Sequence, residues 1–398
     1  MDRIWKRIAF GALAASLVLA LTAGVAFSST ARSDLARERK IVVLKTGASA
    51  SAASARFQRA GAVIVKDLPI ANAVAVSVAP GVAKQLAEDP SVKLVEDDAI
   101  VHAVGKPTRT PPAEVLPWGI ARVQAPSVWT STTADVVKVG IIDTGIDATH
   151  PDLVGNIKGG VSEVSYTTSW KDDNGHGSHV AGIVGAVDNA IGVVGVAPNV
   201  DLYAIKVLDR RGSGYISDII TGLSWAVTNH MDVVNMSLGT SSYSSAFETA
   251  VNNAAAAGVA EVCAAGNSGP SGNTVEYPGK FAKVIAVAAT DSNNAIASFS
   301  SRGSEVDIAA PGVSIYSTYK GGGYQTLSGT SMATPHVAGV AALVISTPVG
   351  AWDTNGDGRW QPAEVQTKLQ ARAQDLGAAG RDDLFGYGLV RADLAVQP

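Results

Sequence analysis

With a single cysteine in 398 residues, the chain cannot close an internal disulfide, and stability outside a cell would have to come from packing or bound ions. That residue, Cys263, stands beside Val262, Ala264 and Ala265 and reads as a core position rather than a nucleophile. Charge is also sparse, at 17% of residues, and unevenly divided. Residues 1–104 hold 13 Lys and Arg against 9 Asp and Glu, whereas residues 105–398 hold 18 against 26. The larger part is therefore acidic. It lacks the basic stripe that nucleic-acid binding needs, so no nucleic-acid partner is expected, and its surplus carboxylates suit cations. What is abundant is apolar: 46% of the residues are hydrophobic, ample for a buried α/β core, and the length points to two folded units.

The chain opens with Arg3, Lys6 and Arg7, followed by an uncharged run over 8–27 that ends in small residues at Ala26 and Ser28. This is the layout of a signal peptide over 1–28. A retained anchor is the alternative, since the run is about long enough to span a bilayer. From 40 to 104 the pattern reads strand (41–45), helix (48–59), strands (62–65 and 73–78), helix (81–87) and strand (92–96, continuing to 101), a compact α+β unit. Residues 105–117 carry Pro107, Pro111, Pro112 and Pro117 and read as a linker. From Val136 onward apolar strands (137–142, 201–208, 233–236, 260–265, 284–289) alternate with small-residue helices (179–186, 216–227, 246–257). Such strands imply a parallel sheet covered on both faces, with chemistry beyond the carboxyl ends of the strands.

Four glycine-flanked motifs stand out. Gly329-Thr330-Ser331 feeds the small apolar run 337–345, so Ser331 sits at a helix's positive end on a close-packed support. That is how a serine nucleophile is mounted, although alone it would pass for a helix cap. Asp143 follows Val139-Gly140-Ile141-Ile142, and a carboxylate at the end of a buried strand can orient an imidazole. Asp-Thr-Gly also marks aspartic proteases, but these need two copies and the chain has one. His176 lies between Gly175 and Gly177, which let a substrate backbone approach the ring. His179 lies three residues on, and spacing alone does not choose between them; His336 reads as a packing residue. Asn267 closes Ala264-Ala265-Gly266-Asn267, where its amide can donate to an oxyanion or merely serve a turn.

A fifth motif points to metal. Asp353-Thr354-Asn355-Gly356-Asp357-Gly358-Arg359-Trp360-Gln361-Pro362-Ala363-Glu364 fits D-x-[DN]-x-[DN]-G-x5-E throughout. Asp353, Asn355, Asp357, the Arg359 carbonyl and Glu364 would supply oxygen ligands to Ca2+, with Gly358 making the sharp turn.

In chain order the motifs run Asp, His, Asn, Ser. Together with Ile146-Asp147-Ala148-Thr149-His150-Pro151-Asp152-Leu153 and Ser178-His179-Val180-Ala181-Gly182, they resemble the subtilisin-like serine proteases. The resemblance spans nearly all of residues 40–398. It implies that Asp143 orients His176, that His176 is the general base, that Ser331 attacks the peptide carbonyl, and that Asn267 helps hold the oxyanion. It implies a peptide or protein substrate lying between Gly212-Ser213-Gly214 and Ser237-Leu238-Gly239. Ala264, Ala265 and Gly266 would wall the first pocket, with Glu276 at its floor. A carboxylate there favours Lys or Arg, unless it turns to solvent. Arg210 and Arg211 would lie near a neighbouring pocket.

Asp89-Pro90-Ser91-Val92, Val95-Glu96-Asp97-Asp98 and His102-Ala103-Val104 resemble the family's inhibitory propeptide. This implies a ferredoxin-like domain over 29–104 that plugs the active site, with self-cleavage after Val104 and further trimming near Arg109. A second calcium site is implied at Glu114, Asp152 and Asn189 with the carbonyls of Val187, Ile191 and Val193, Glu114 standing where an amide is usual. The expected molecule is a secreted, monomeric, calcium-stabilised endopeptidase of 118–398, made as an inhibited precursor and without stable membrane association. The competing reading is a non-catalytic secreted binding protein whose calcium loop serves docking.

Overall fold

The computed structural model describes residues 37–103, 108–109 and 114–398, so the expected signal segment, Val104 and most of the linker lie outside the described residues. The first elements are β1 (Glu38–Leu44), α1 (Ala50–Arg59), β2 (Val63–Leu68), β3 (Ala73–Val78), α2 (Val82–Ala87) and β4 (Val92–Asp97). Their strands pair antiparallel in the order β2-β3-β1-β4, the ferredoxin-like arrangement. Alternation along β1 and β3 sends Val42, Val74 and Val76 onto Phe57 and Leu86 of its own helices. Ile41, Val43, Ala73 and Ala75 point the other way, into a core shared with the rest of the chain. Helix α1 starts two residues later than the composition suggests because Ser49 caps it, its hydroxyl accepting from the Ala52 N–H at 3.3 Å.

One strand was expected to run from 92 to 101. Instead the chain leaves the small sheet after β4 and begins β5 (Ile100–Ala103) in a different sheet. The break falls at Asp98, whose carboxylate accepts from the Ser217 N–H at 3.0 Å and the Ser217 hydroxyl at 2.8 Å. After β6 (Thr108–Arg109) come α3 (Trp118–Arg122), β7 (Lys138–Asp143), β8 (Ile157–Ser162), α4 (His176–Gly185), β9 (Asp201–Lys206), β10 (Ser213–Tyr215) and α5 (Ile216–Thr228). Then follow β11 (Val233–Met236), β12 (Leu238–Gly239), α6 (Ser245–Ala256), β13 (Ala260–Ala264), β14 (Ile285–Thr290) and β15 (Ile308–Pro311). The chain ends with β16 (Ile315–Tyr319), β17 (Gly323–Leu327), α7 (Thr330–Ile345), α8 (Pro362–Ala371) and α9 (Ala392–Ala395).

Seven of these strands form an all-parallel sheet in the order β15-β14-β13-β11-β7-β9-β8. Helices α4 and α7 cover one face, packing on Val139, Ile141, Val262 and Val287. Helices α5 and α6 cover the other, against Ile142, Val234, Met236 and Cys263. Strand β8 has no apolar run, only Gly159-Gly160 within a partly exposed edge, and sequence reading gave it no element. Helix α4 begins three residues earlier than expected because the Asp172 carboxylate accepts from the N–H groups of Asn174, Gly175 and Ser178, which satisfies its first turn.

Helix α7 is buried at fifteen of its sixteen residues, which only a sequence of Ala, Gly, Thr and Val allows. Pro335 lies inside it and cannot donate to the Ser331 carbonyl four residues back. That carbonyl instead accepts from the Ser237 hydroxyl at 2.8 Å.

One core position breaks the apolar rule. Glu261 on β13 is 1% exposed, and neither carboxyl oxygen has a hydrogen-bond partner among the described residues. Burial pushes its carboxyl well above the usual range, so it is held neutral. Because the folded value lies above the unfolded one, the native state binds more protons, and stability falls as pH rises above the ordinary carboxylate range. Glu261→Met, compared in a Ser331→Ala background that prevents self-digestion, should raise Tm by several degrees at pH 8–9, with the gain shrinking toward pH 4. Calorimetry across that range checks it; a gain independent of pH, or a lower Tm at pH 9, would contradict the assignment.

Candidate active site

Strand β7 ends on Asp143, which is fully buried, with its carboxylate 2.8 and 2.9 Å from His176 Nδ1. His176 is the first residue of α4, so Nδ1–H donates to the carboxylate and fixes the tautomer. The two elements dock through glycine: a Cβ on Gly177 would strike the Gly145 carbonyl. The Gly177 N–H donates to the Thr144 hydroxyl at 2.9 Å, and that hydroxyl donates to Asp172 Oδ1 at 2.9 Å. Of the two histidines that spacing left open, only His176 meets Asp143. His179 Nε2 donates to the carbonyls of Ile315 and Gln325, and burial pushes it down to about 3. His336 donates from Nδ1 to the Met332 carbonyl and is pushed by burial to about 4. Both are neutral packing residues.

Two charged residues that sequence reading passed over complete this corner. Asp172 is nearly enclosed, which pushes its carboxyl up, yet it accepts from three N–H groups and the hydroxyls of Thr144 and Ser178. Lys206 pairs with Asp143 in register and is fully buried. Its ammonium donates to the carbonyls of Thr144 at 2.7 Å and Leu208 at 2.8 Å and to Asp173 Oδ1 at 2.7 Å. The available signal was a lone lysine inside the apolar run 201–208.

Ser331 is the second residue of α7, which packs directly against α4. Its hydroxyl donates to the Ser237 carbonyl at 3.1 Å. Asn267 Oδ1 accepts from both the N–H and the hydroxyl of Thr330, at 2.9 and 3.0 Å. That pair of bonds assigns the amide's orientation and turns its NH2 group the other way.

Strands β10, β5 and β12 form a three-stranded antiparallel sheet. Residue His102 lies opposite both Ser213 and Gly239, Val101 opposite Gly214, and Ala103 opposite Leu238. The segments Gly212-Ser213-Gly214 and Ser237-Leu238-Gly239 therefore bracket the chain's own residues 100–103. Ala264, Ala265 and Gly266 are buried beside them. The Glu276 carboxylate lies between the two walls rather than out in solvent: a Cβ on Gly239 or Gly266 would collide with it. Its Oε1 accepts from the Ser268 hydroxyl at 2.7 Å. Arg210 and Arg211 are exposed.

The loop 353–364 closes on its own oxygens. Asp353 accepts from the N–H groups of Gly356, Asp357 and Gly358, Asn355 from Asp357, and Asp357 from Arg359. Glu364 accepts from Thr354 at 2.6 Å and Gln361 at 3.0 Å. At the other expected site, the buried Asp152 accepts from Asn189 Nδ2 at 3.1 Å, the Val193 N–H at 2.9 Å and the Tyr324 hydroxyl at 2.9 Å. Its backbone carbonyl accepts from the Val187 N–H, and Asn189 Oδ1 accepts from the Ile191 N–H. Burial and the neighbouring carboxylates of Asp188 and Asp152 push Glu114 up. Asp188 was not among the expected residues. Among the described residues no three His, Cys, Asp or Glu side chains converge closely enough to hold a metal by themselves. Amide and backbone oxygens would have to complete either shell.

Residues 134–388 match the subtilase family. The chain is 45% identical over 341 residues to subtilisin amylosacchariticus of Bacillus subtilis subsp. amylosacchariticus, which covers 85% of this chain and 84% of the relative. It is 46% identical over 325 residues to an alkaline protease of Alkalihalobacillus alcalophilus, covering 81% and 79%. It is 48% identical over 289 residues to a subtilisin of Bacillus pumilus, covering 72% of this chain and the whole of the relative. With the parallel sheet already described, these matches mean that the chain belongs to the subtilase family and is a subtilisin-type serine endopeptidase.

Proposed function

We propose that Asp143, His176 and Ser331 form the catalytic triad, that Asn267 completes the oxyanion hole, and that residues 29–104 are an inhibitory propeptide removed by the enzyme itself. The observation that carries this reading is the middle strand of the cleft. Residues 100–103 hydrogen-bond to both walls as a substrate backbone would, on a path that leads residue 104 toward Ser331. In the reaction Asp143 holds the ring, and the Ser331 hydroxyl proton passes from the Ser237 carbonyl to His176 Nε2 as Oγ attacks the peptide carbonyl carbon. The oxyanion accepts from the Asn267 amide and the Ser331 N–H, at the positive end of α7. His176 then gives its proton to the leaving amine, and water repeats the sequence to release the acyl group. Mass spectrometry of wild type beside Ser331→Ala tests this. Wild type should begin after Val104 or later in the linker, while Ser331→Ala keeps residues 29–104; a wild type that keeps them refutes self-processing.

Glu276 supports a preference for Lys or Arg at the residue before the cut. Held by Ser268 between two glycine walls, it is half-buried, where an opposite charge gains more than in bulk water. Glu276→Gln should lower the ratio of kcat/KM for Lys or Arg over Phe or Leu substrates by roughly tenfold or more, as expected for losing a partly desolvated charge pair. An unchanged ratio removes Glu276 from specificity.

Ca2+ is proposed as a structural ion at both loops. The donor chemistry fits: Asp353, Asn355, Asp357, Glu364 and the Arg359 carbonyl are oxygens already folded about one loop, and the crowded carboxylates of Glu114 and Asp152 are disposed toward a cation. A bound ion would neutralise those charges and tie α7 to α8. Chelator should lower the Tm of Ser331→Ala protein, and Asp357→Ala should remove part of that shift; identical melting curves with and without chelator would exclude the role. Secretion rests on residues 1–28. Among the described residues no helix is long and apolar enough to cross a membrane.

A further inference from the structure

Beyond the cleft, the N-terminal sheet also meets the main body through charge. Lys66 on β2 reaches past its own sheet, and its ammonium donates to Asp218 Oδ1 at 3.0 Å and to the Glu163 carbonyl at 2.8 Å, with Glu163 Oε2 at 3.4 Å. Asp218 lies in the first turn of α5, and Glu163 directly follows β8. The three side chains are 20%, 9% and 15% exposed, so this is an enclosed cluster and not a surface pair. Burial pushes both carboxyls up while Lys66 pulls them down, a sign that the pair leans on its cation. Beside it the Arg39 guanidinium lies 3.7 Å over the Tyr215 ring and donates to Ser217 Oγ and Asp98 Oδ2 at 2.8 Å.

These contacts differ in kind from the others at the same interface. Strand β5 reads backbone only. Glu96 accepts from the Ser244 hydroxyl and the N–H groups of Ser245 and Ala246, so it too reads groups that many helices offer. Glu163 and Asp218 demand a cation at one place on the partner, and without it two enclosed carboxylates face each other.

We propose that Glu163 and Asp218 form a cation-recognition patch, outside the substrate cleft, by which the catalytic body selects its own N-terminal domain through Lys66. The inference rests on the inhibitory reading of that domain. Its consequence is that a domain of the same fold without a cation at this place is a poor inhibitor, even with residues 100–103 intact.

The experiment follows the full chain after self-cleavage, recording the half-time with which activity on a small peptide substrate appears as the bound domain is lost. Lys66→Met should shorten that half-time roughly tenfold or more, as expected for truncating one partner of an enclosed charge pair. Lys66→Glu should shorten it further. Lys66 departs with the domain, so the fully activated Lys66→Met enzyme is the wild-type enzyme, and an equal final kcat/KM reports that the body folded normally. Glu163→Gln with Asp218→Asn supplies the second arm of a cycle: once both carboxylates are gone, adding Lys66→Met should change little. A latent wild type whose half-time is unmoved by Lys66→Met, or effects that simply add, overturns the patch alone. A wild type with no latent phase overturns the inhibitory reading and the patch with it.

Discussion

Close approach around helix α7 is the constraint on which the rest depends. A helix can pass through the middle of a seven-stranded sheet protein only if its side chains are small enough for neighbours to seat on every side, and α7 meets that condition from Thr330 to Val344. The same helix carries Pro335, which leaves the Ser331 carbonyl without its helical donor. An orphan carbonyl at that depth would cost about 1–3 kcal/mol. Ser237 supplies the missing donor, and the Ser331 hydroxyl returns a bond to the Ser237 carbonyl. Ser237 thus ties the cleft wall that precedes β12 to the start of α7 by two hydrogen bonds, and Asn235 in turn donates to the Ser237 hydroxyl at 2.9 Å.

Buried polarity is concentrated at the carboxyl ends of the strands, and each charge there is answered. Asp143 has His176 and the Thr144 N–H; Asp172 has five donors; Lys206 has two carbonyls and Asp173. Thr144 joins all three, since its hydroxyl, N–H and carbonyl serve Asp172, Asp143 and Lys206 respectively. A shift in any one of them would be felt at the imidazole. Glu261 marks the contrast. It sits mid-strand, where no backbone donor is spare, and only neutralisation keeps it tolerable.

How much of this was legible in the sequence depends on the range of the interaction. Asp143, His176, Asn267 and Ser331 were readable because each is fixed by its immediate neighbours: a buried strand before it, a glycine turn beside it or a small-residue helix after it. The alternating strands and helices of the parallel sheet were readable for the same reason. Strands β8, β16 and β17 were not, because glycine, serine and tyrosine at a partly exposed edge leave no apolar run. The turn at Asp98 was hidden because its cause, Ser217, lies more than a hundred residues away. Asp172 and Lys206 have local sequences that suit an ordinary turn and an ordinary strand. What makes them central is the group each meets across the fold. The pocket position of Glu276 came only from the resemblance, and no pattern in its neighbours announces it.

The two-faced character of the N-terminal sheet bears on the proposed order of events. Strands β1 and β3 are apolar at nearly every position, the pattern of a sheet covered on both sides, yet its own helices cover one face only. The second face is buried against the body that contains α5 and α6. While the chain is continuous, residues 37–103 meet that face at the high effective concentration of a tether. A cut after Val104 removes the tether but none of the area, none of the β5 hydrogen bonds and neither of the contacts made by Glu96 and Asp98. Cleavage alone therefore does not open the cleft. The domain must dissociate or be degraded, and once it leaves, Ile41, Val43, Ala73 and Ala75 face water. That exposure opposes release and also makes the freed domain easier to unfold and digest, so inhibition persists after the cut yet is lost irreversibly once the domain is gone.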